Sequence, residues 1–254
     1  MFDENSPWPD GYSGAMSLTF DDGQESQLRK AIPILDNLGL KGTFFLCPKG
    51  EDWMNALSPW REVFKNGHEI GNHTISHACS QSLSPKPVER CLENMKLEDM
   101  ETDILEASRR IRAAIPEQEA FTFCYPCYNN HVGSGLTRQS YVPIVARNFP
   151  AGRGMGEFPF GNYPATCDLH YLWSWPVEGK SGVELVGLAE RTAAHSQWGI
   201  MTFHSIDEGR LSVSGWAFRE LCEFLDRNRD RIWVAPMVTV ALRIIEWRKS
   251  IGIV

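Results

Sequence analysis

The sequence predicts an α/β fold: one (β/α) barrel domain of seven or so strands, spanning 1–254 with its core at about 8–247. Three observations carry that expectation. Short apolar runs alternate with amphipathic stretches along the whole chain. The residues with candidate chemistry fall at the ends of apolar runs, and the C-terminal strand edge is where barrels carry their active-site loops. The fingerprint of an open nucleotide-binding sheet is missing, because Gly152-Arg153-Gly154-Met155-Gly156 has no strong strand before it and no helical pattern after it.

The elements follow in order. Residues 15–20 read as a strand, and Leu28, Ile32, Leu35 and Leu38 mark a helix over 26–38, closed by Gly39. Gly42 to Cys47 is a second strand, stopped by Pro48, and a short helix near 57–66 leads to a third strand, His68-Glu69-Ile70-Gly71. Pro87 opens a long helix reaching about Ile115, before a strand from Ala120 to Tyr125. Val142–Arg147, Leu172–Trp175 and Ile200–Phe203 are further strand candidates, with helices near 183–197 and 214–228. Residues 233–235 predict a last strand and Val238–Trp247 a closing helix, while 148–168 reads as one long irregular loop over the site.

At 254 residues, 43% of them hydrophobic, the chain can bury one sizeable core. A net charge of -7 argues against a nucleic-acid partner or a membrane surface. No run approaches the roughly 18 apolar residues of a spanning helix. Residues 1–7 lack the basic and apolar parts of a signal peptide. Seven cysteines, an odd count, predict free thiols in a reducing compartment, with a structural or substrate-lining role for Cys124 and Cys127. The expectation is a cytoplasmic protein, or a secreted or periplasmic one if a leader has been removed. Aromatic loop residues would stack on sugar rings or support a dimer.

Three elements carry the chemistry. Thr19-Phe20-Asp21-Asp22-Gly23 puts two carboxylates after an apolar run, His73-Thr74-Ile75-Ser76-His77 puts two imidazoles four residues apart, and His204 ends Gly199-Ile200-Met201-Thr202-Phe203. Adjacent strand side chains face opposite ways, so the two aspartates share a centre only where the strand gives way to a turn, which Gly23 eases. Four-residue spacing is one helical turn and lets both rings address one cation. One carboxylate with two imidazoles is a metal set with open positions, leaving a second carboxylate and a third histidine as base and acid. Each element has a plainer reading on its own: a helix cap, a surface histidine pair, a hydrogen-bonded core histidine.

The first two motifs together resemble those of the polysaccharide deacetylase family, carbohydrate esterase family 4, and Ile200-Met201-Thr202-Phe203-His204 resembles its last motif. The resemblance covers about Trp8 to Trp247. It implies a distorted (β/α)7-type barrel and a hydrolase that uses a divalent metal; an Asp-His-His set with N/O ligands fits zinc, and nickel or cobalt as well. It also implies that Asp22, His73 and His77 hold the metal, Asp21 is the general base and His204 the general acid. Phe123-Cys124-Tyr125-Pro126-Cys127-Tyr128 looks like a variant third motif without its usual arginine. By analogy the Cys127 N–H donates to the oxyanion, with Tyr125 and Pro126 beside the substrate. The acidic partner of His204 is expected at Asp168, near Leu172-Trp173-Ser174-Trp175, or at Asp207. The function implied is removal of acetyl groups, N-acetyl first, from a carbohydrate. The alternatives are an O-acetyl esterase of the xylan type, a small-molecule amidase, and a non-catalytic carbohydrate-binding relative.

Overall fold

The computed structural model describes residues 6–9 and 11–253. Its centre is an all-parallel sheet whose first strand, β1 (Gly14–Asp21), is buried at every position. Strands buried on both faces read as near-continuous apolar runs, which is why β1 and β7 (Trp198–Phe203) were legible as such. Between them in chain order come β2 (Thr43–Leu46), β3 (Glu69–Asn72), β4 (Phe123–Cys124), β5 (Gly152–Arg153) and β6 (Trp175–Pro176). The spatial order is β5-β4-β3-β2-β1-β7-β6. A last strand, β8 (Ile232–Val234), pairs with the N-terminal half of β1, at Gly14 to Met16.

The sheet curls until its two edges meet. Arg153 bridges Leu172 in parallel, and the Gly154 N–H donates to the Leu172 carbonyl at 2.9 Å, just before the chain enters β6. This closes the expected (β/α)7-type barrel. Helices α1 (Ile32–Asn37), α2 (Trp53–Lys65), α3 (Leu97–Ala114), α4 (Val142–Asn148), α5 (Gly182–Ala194) and α6 (Gly215–Arg227) connect the strands, and α7 (Met237–Ser250) follows the last one. The first is preceded by a wider turn, Gln27–Ala31, wound as a π-helix.

Three expectations need correction. Val142–Arg147 is helical: a Pro at the start fixes a helical φ and has no N–H to lose there, which decides a short apolar run that pattern alone leaves open. The long helix starts at Leu97, and 80–96 holds only two short 3₁₀ turns, Gln81–Leu83 and Leu92–Asn94. The segment 148–168 is not one loop, because it contains β5. Two residues carry too little pattern to announce a strand, and its glycine is demanded by packing. A Cβ on Gly152 would meet Val145 Cγ1 at 2.8 Å and the His170 carbonyl at 2.9 Å.

Candidate active site

The barrel brings the three motifs to one strand edge. Asp21 is the last residue of β1 and points into the barrel, 3% exposed. Asp22 follows with φ 72°, so the chain turns and its carboxylate leaves on another bearing. Aspartate tolerates this left-handed region better than most residues. The side chain of Gln27 fixes the edge, donating to the carbonyls of Asp21 (2.6 Å) and His204 (2.8 Å) and so tying β1 to β7.

His73 and His77 are not on a helix. They sit in a loop after β3, where Thr74 (φ 63°) and His77 (φ 49°) are left-handed. Side chains over-determine that loop. Asn72 accepts from the Thr74 N–H at 2.8 Å and donates to the Ile104 carbonyl, and the Thr74 hydroxyl accepts from the His77 N–H. Asp103 of α3 receives both the N–H and the hydroxyl of Ser76. The rings meet edge to face with centroids 4.6 Å apart. The expected convergence is present, though through a braced loop rather than a helical turn.

The donor geometry fits a metal. Nε2 of His73 and of His77 lie 3.7 Å and 3.4 Å from Asp22 Oδ1. One ligand atom from each of these three residues falls within 4.8 Å of the others. His73 Nδ1 lies 3.0 Å from the Cys124 carbonyl, which assigns its proton to Nδ1 and leaves the Nε2 lone pair free. Burial, opposed by Asp21, pushes the His73 pKa down to about 4, so the ring is the neutral ligand a cation requires. A carboxylate oxygen with two imidazole nitrogens suits zinc, nickel or cobalt.

Asp21 has its arginine after all, from a place the sequence did not announce. Arg153 of β5 is fully buried and its Nη2 donates to Asp21 Oδ1. The two terminal nitrogens are aimed further: Nη1 reaches Thr202 Oγ1 at 2.7 Å and Ser174 Oγ at 3.2 Å, and Nη2 reaches Cys124 Sγ at 2.7 Å, while the buried Nε has no partner among the described residues. Burial alone would raise the Asp21 pKa. The Arg153 guanidinium overrides it and holds the carboxyl at about 2.

His204 lies on the other side, its Nε2 4.0 Å from Asp21 Oδ2. Its acidic partner is Glu178, just past β6, with Oε1 2.9 Å from His204 Nδ1. The pair is held by distance, since the ring N–H does not point along the contact. Burial disfavours the charged ring, but Glu178 and Asp21 outweigh it and raise the His204 pKa. The expected partners are elsewhere. Asp168 caps its own turn at the His170 N–H, Asp207 accepts from the Gly215 N–H and pairs with Lys30, and the buried Trp175 donates to the Phe160 carbonyl.

The third motif divides. Tyr125 is fully buried with its hydroxyl donated to the His170 carbonyl at 2.7 Å, and Pro126 is buried beside it. Both form the wall of the site, not a substrate surface. Cys127 stands at the cleft with φ 51°, and among the described residues no group accepts from its N–H. It is also disulfide-bonded to Cys79, which corrects the expectation of free thiols, while Cys124 remains a buried thiol. A cavity of about 500 Å³ opens alongside, lined in part by Ser80, Tyr128, Asn129, Arg138 and Tyr171.

The polysaccharide deacetylase profile matches residues 10–138, which contain Asp21, Asp22, His73, His77 and Cys127. A chitin deacetylase of Arthroderma benhamiae is 33% identical over 178 residues, 62% of this chain and 44% of its own length. The chain thus spans less than half of that relative. A Mycobacterium smegmatis structure superposes with TM-score 0.63 at 16% identity, covering 95% of this chain and 93% of its own. A carbohydrate esterase family 4 pseudoenzyme from Bacillus anthracis superposes with TM-score 0.53 at 15% identity over 93% and 69%. With half the chain matched by that profile, the protein belongs to the polysaccharide deacetylase family.

Proposed function

We propose that this chain is a metal-dependent deacetylase that hydrolyses N-acetyl groups of a carbohydrate. The observation that supports it most is the completeness of the set: three candidate metal donors, a separately held carboxylate, a histidine paired with Glu178 and, among the described residues, an unpartnered backbone N–H on one edge. The fold is shared with a pseudoenzyme, so fold alone does not argue for turnover. A binding protein has no use for Arg153, Glu178 and their partners together.

Asp22, His73 and His77 are the residues that would hold the ion, with zinc the best match to the donors. When bound, it supplies Lewis acidity, acidifying water and polarising the acetyl carbonyl. Asp21 is ionised at any working pH and accepts the proton of the attacking water. Arg153 keeps that carboxylate from turning toward the cation site. The Cys127 N–H donates to the oxygen on which negative charge develops, in a site where such a donor is typically worth about 10²–10³ in rate. His204, its pKa raised by Glu178 and Asp21 against burial, protonates the leaving group. An amine must be protonated to leave, whereas an alkoxide needs less help. A raised pKa leaves more of His204 protonated at a given pH, which suits an acid that must serve an amine leaving group.

The Cys79–Cys127 bond favours an oxidising compartment, secreted or periplasmic, over the cytoplasm. The test of function is turnover of acetylated chito-oligosaccharides against acetyl xylan, by wild type and Asp21→Asn. We expect faster release of acetate from the amide, abolished in Asp21→Asn with metal content unchanged. A fully active Asp21→Asn enzyme would remove Asp21 from the role of base, and preference for xylan would favour the esterase.

A further inference from the structure

The Cys79–Cys127 disulfide joins two segments 48 residues apart, and both ends touch the chemistry. Cys79 lies two residues after His77, and its Sγ is 3.6 Å from His77 Nδ1. A disulfide sulfur carries no hydrogen, so here it can only accept. That contact puts the His77 proton on Nδ1 and turns Nε2 toward Asp22, 3.4 Å away. At the other end the bond anchors Cys127, whose N–H is the unpartnered donor of the site. His77 (φ 49°) and Cys127 (φ 51°) both sit in the left-handed region, which non-glycine residues keep only when their surroundings over-determine them. One further hydrogen bond joins the same segments, from the Ser80 N–H to Asn129 Oδ1 at 3.2 Å.

We propose that this disulfide is a clasp that positions two working groups, the His77 ring and the Cys127 N–H, so that opening it switches the centre off. The proposal rests on the deacetylase reading for the second group and on the donor set alone for the first. Opening needs a reductant, here a water-soluble phosphine. The phosphine gives two electrons to the S–S bond and becomes a phosphine oxide with oxygen from water, whose two protons end on the sulfurs. The freed sulfurs and a His77 nitrogen, already within 4.8 Å of one another, then form a soft N/S set. That set shares His77 with the oxygen-containing one and competes for the same ion.

The experiment loads the full chain with cobalt and records kcat, KM and the cobalt spectrum before and after reduction by the phosphine, with thiols counted. The clasp predicts a kcat lower by roughly 10²–10³, the scale of one lost oxyanion donor, with KM changed far less and activity restored on reoxidation. It also predicts a new thiolate-to-cobalt charge-transfer band in the reduced protein. Cys79→Ser/Cys127→Ser should sit at the reduced kcat, ignore the phosphine and show no such band. Full reduction with kcat and spectrum unchanged overturns the proposal. Loss of kcat together with the far-ultraviolet circular dichroism overturns it also, because the bond is then a staple for the whole fold. If the oxidised enzyme turns over no acetylated sugar, the functional reading fails separately. The cobalt spectrum still decides the clasp, and its indifference to reduction would end it.

Discussion

Replacing Arg153 with Met tests how the barrel holds its base. The substitution keeps the stem of a fully buried side chain and deletes donors that reach Asp21, Thr202, Ser174 and Cys124. It leaves the Asp21 carboxylate, 3% exposed, without its countercharge. Breaking a buried pair this way costs about 3–5 kcal/mol. For a chain of this size each kcal/mol is worth about 2–4 °C, so the melting temperature should fall by roughly 6–20 °C. The loss should depend on pH. In the wild type the Asp21 pKa is lowered to about 2 from 3.8, so its stabilisation is full above 3.8 and fades as pH falls toward about 2. In the variant burial is opposed only by the neighbouring His73 and His204, so the carboxyl titrates higher and the charged form is the destabilised one. The gap between the two proteins should therefore be widest near neutrality and narrow in acid. Thermal unfolding of the metal-stripped proteins across pH measures this directly. Asp21→Asn/Arg153→Met should melt higher than Arg153→Met alone, since no buried charge is left over. A variant that melts with the wild type, or a gap that is flat with pH, would refute the reasoning.

Other outcomes follow from the same geometry. Activity should decline on the alkaline side as pH climbs through the raised pKa of His204 and the acid is lost. Glu178→Gln removes the nearest contribution opposing burial, so that decline should move to lower pH, about tenfold in rate at a fixed alkaline pH per unit moved. An unmoved profile would separate Glu178 from the acid. Gly71→Ala puts a Cβ 2.3 Å from the Phe45 ring, which lies 5.1 Å from the Arg153 guanidinium carbon. Overpacking there should lower stability by about 1–3 kcal/mol, read as a lower urea midpoint at unchanged slope, with a fall in kcat as Arg153 shifts. An unchanged midpoint would mean that the ring yields freely.

The long buried elements and the convergence of Asp22, His73 and His77 were legible because each left a mark in the chain. β1 and β7 are buried, mostly apolar runs interrupted only by small polar residues, and the site residues fall where those runs stop. What escaped was short or assembled from afar. Arg153 lies on a two-residue strand inside what looked like a loop, 132 residues from the carboxylate it holds. The Gly152-Arg153-Gly154 triplet was a signal in hindsight, since Cβ atoms at Gly152 and Gly154 would strike Val145 and Tyr171. Glu178 follows a strand of two residues, and nothing local separates it from a surface acid. Cysteine counting failed because it weighs a framework of bridges, whereas here one bond serves one place and five other thiols stay free. The histidine pair converged for a different reason than spacing suggested, through Asn72, Thr74 and Asp103 rather than a helix.

Metal stoichiometry most directly tests the central claim, that Asp22, His73 and His77 together bind one divalent ion while Asp21 stays out of its coordination. Equilibrium dialysis of the metal-stripped protein against zinc should show one tight site in the wild type and in Asp21→Asn, and its loss in His73→Ala, His77→Ala and Asp22→Ala. A tight site that survives those three alanine substitutions, or disappears with Asp21→Asn, would contradict the account.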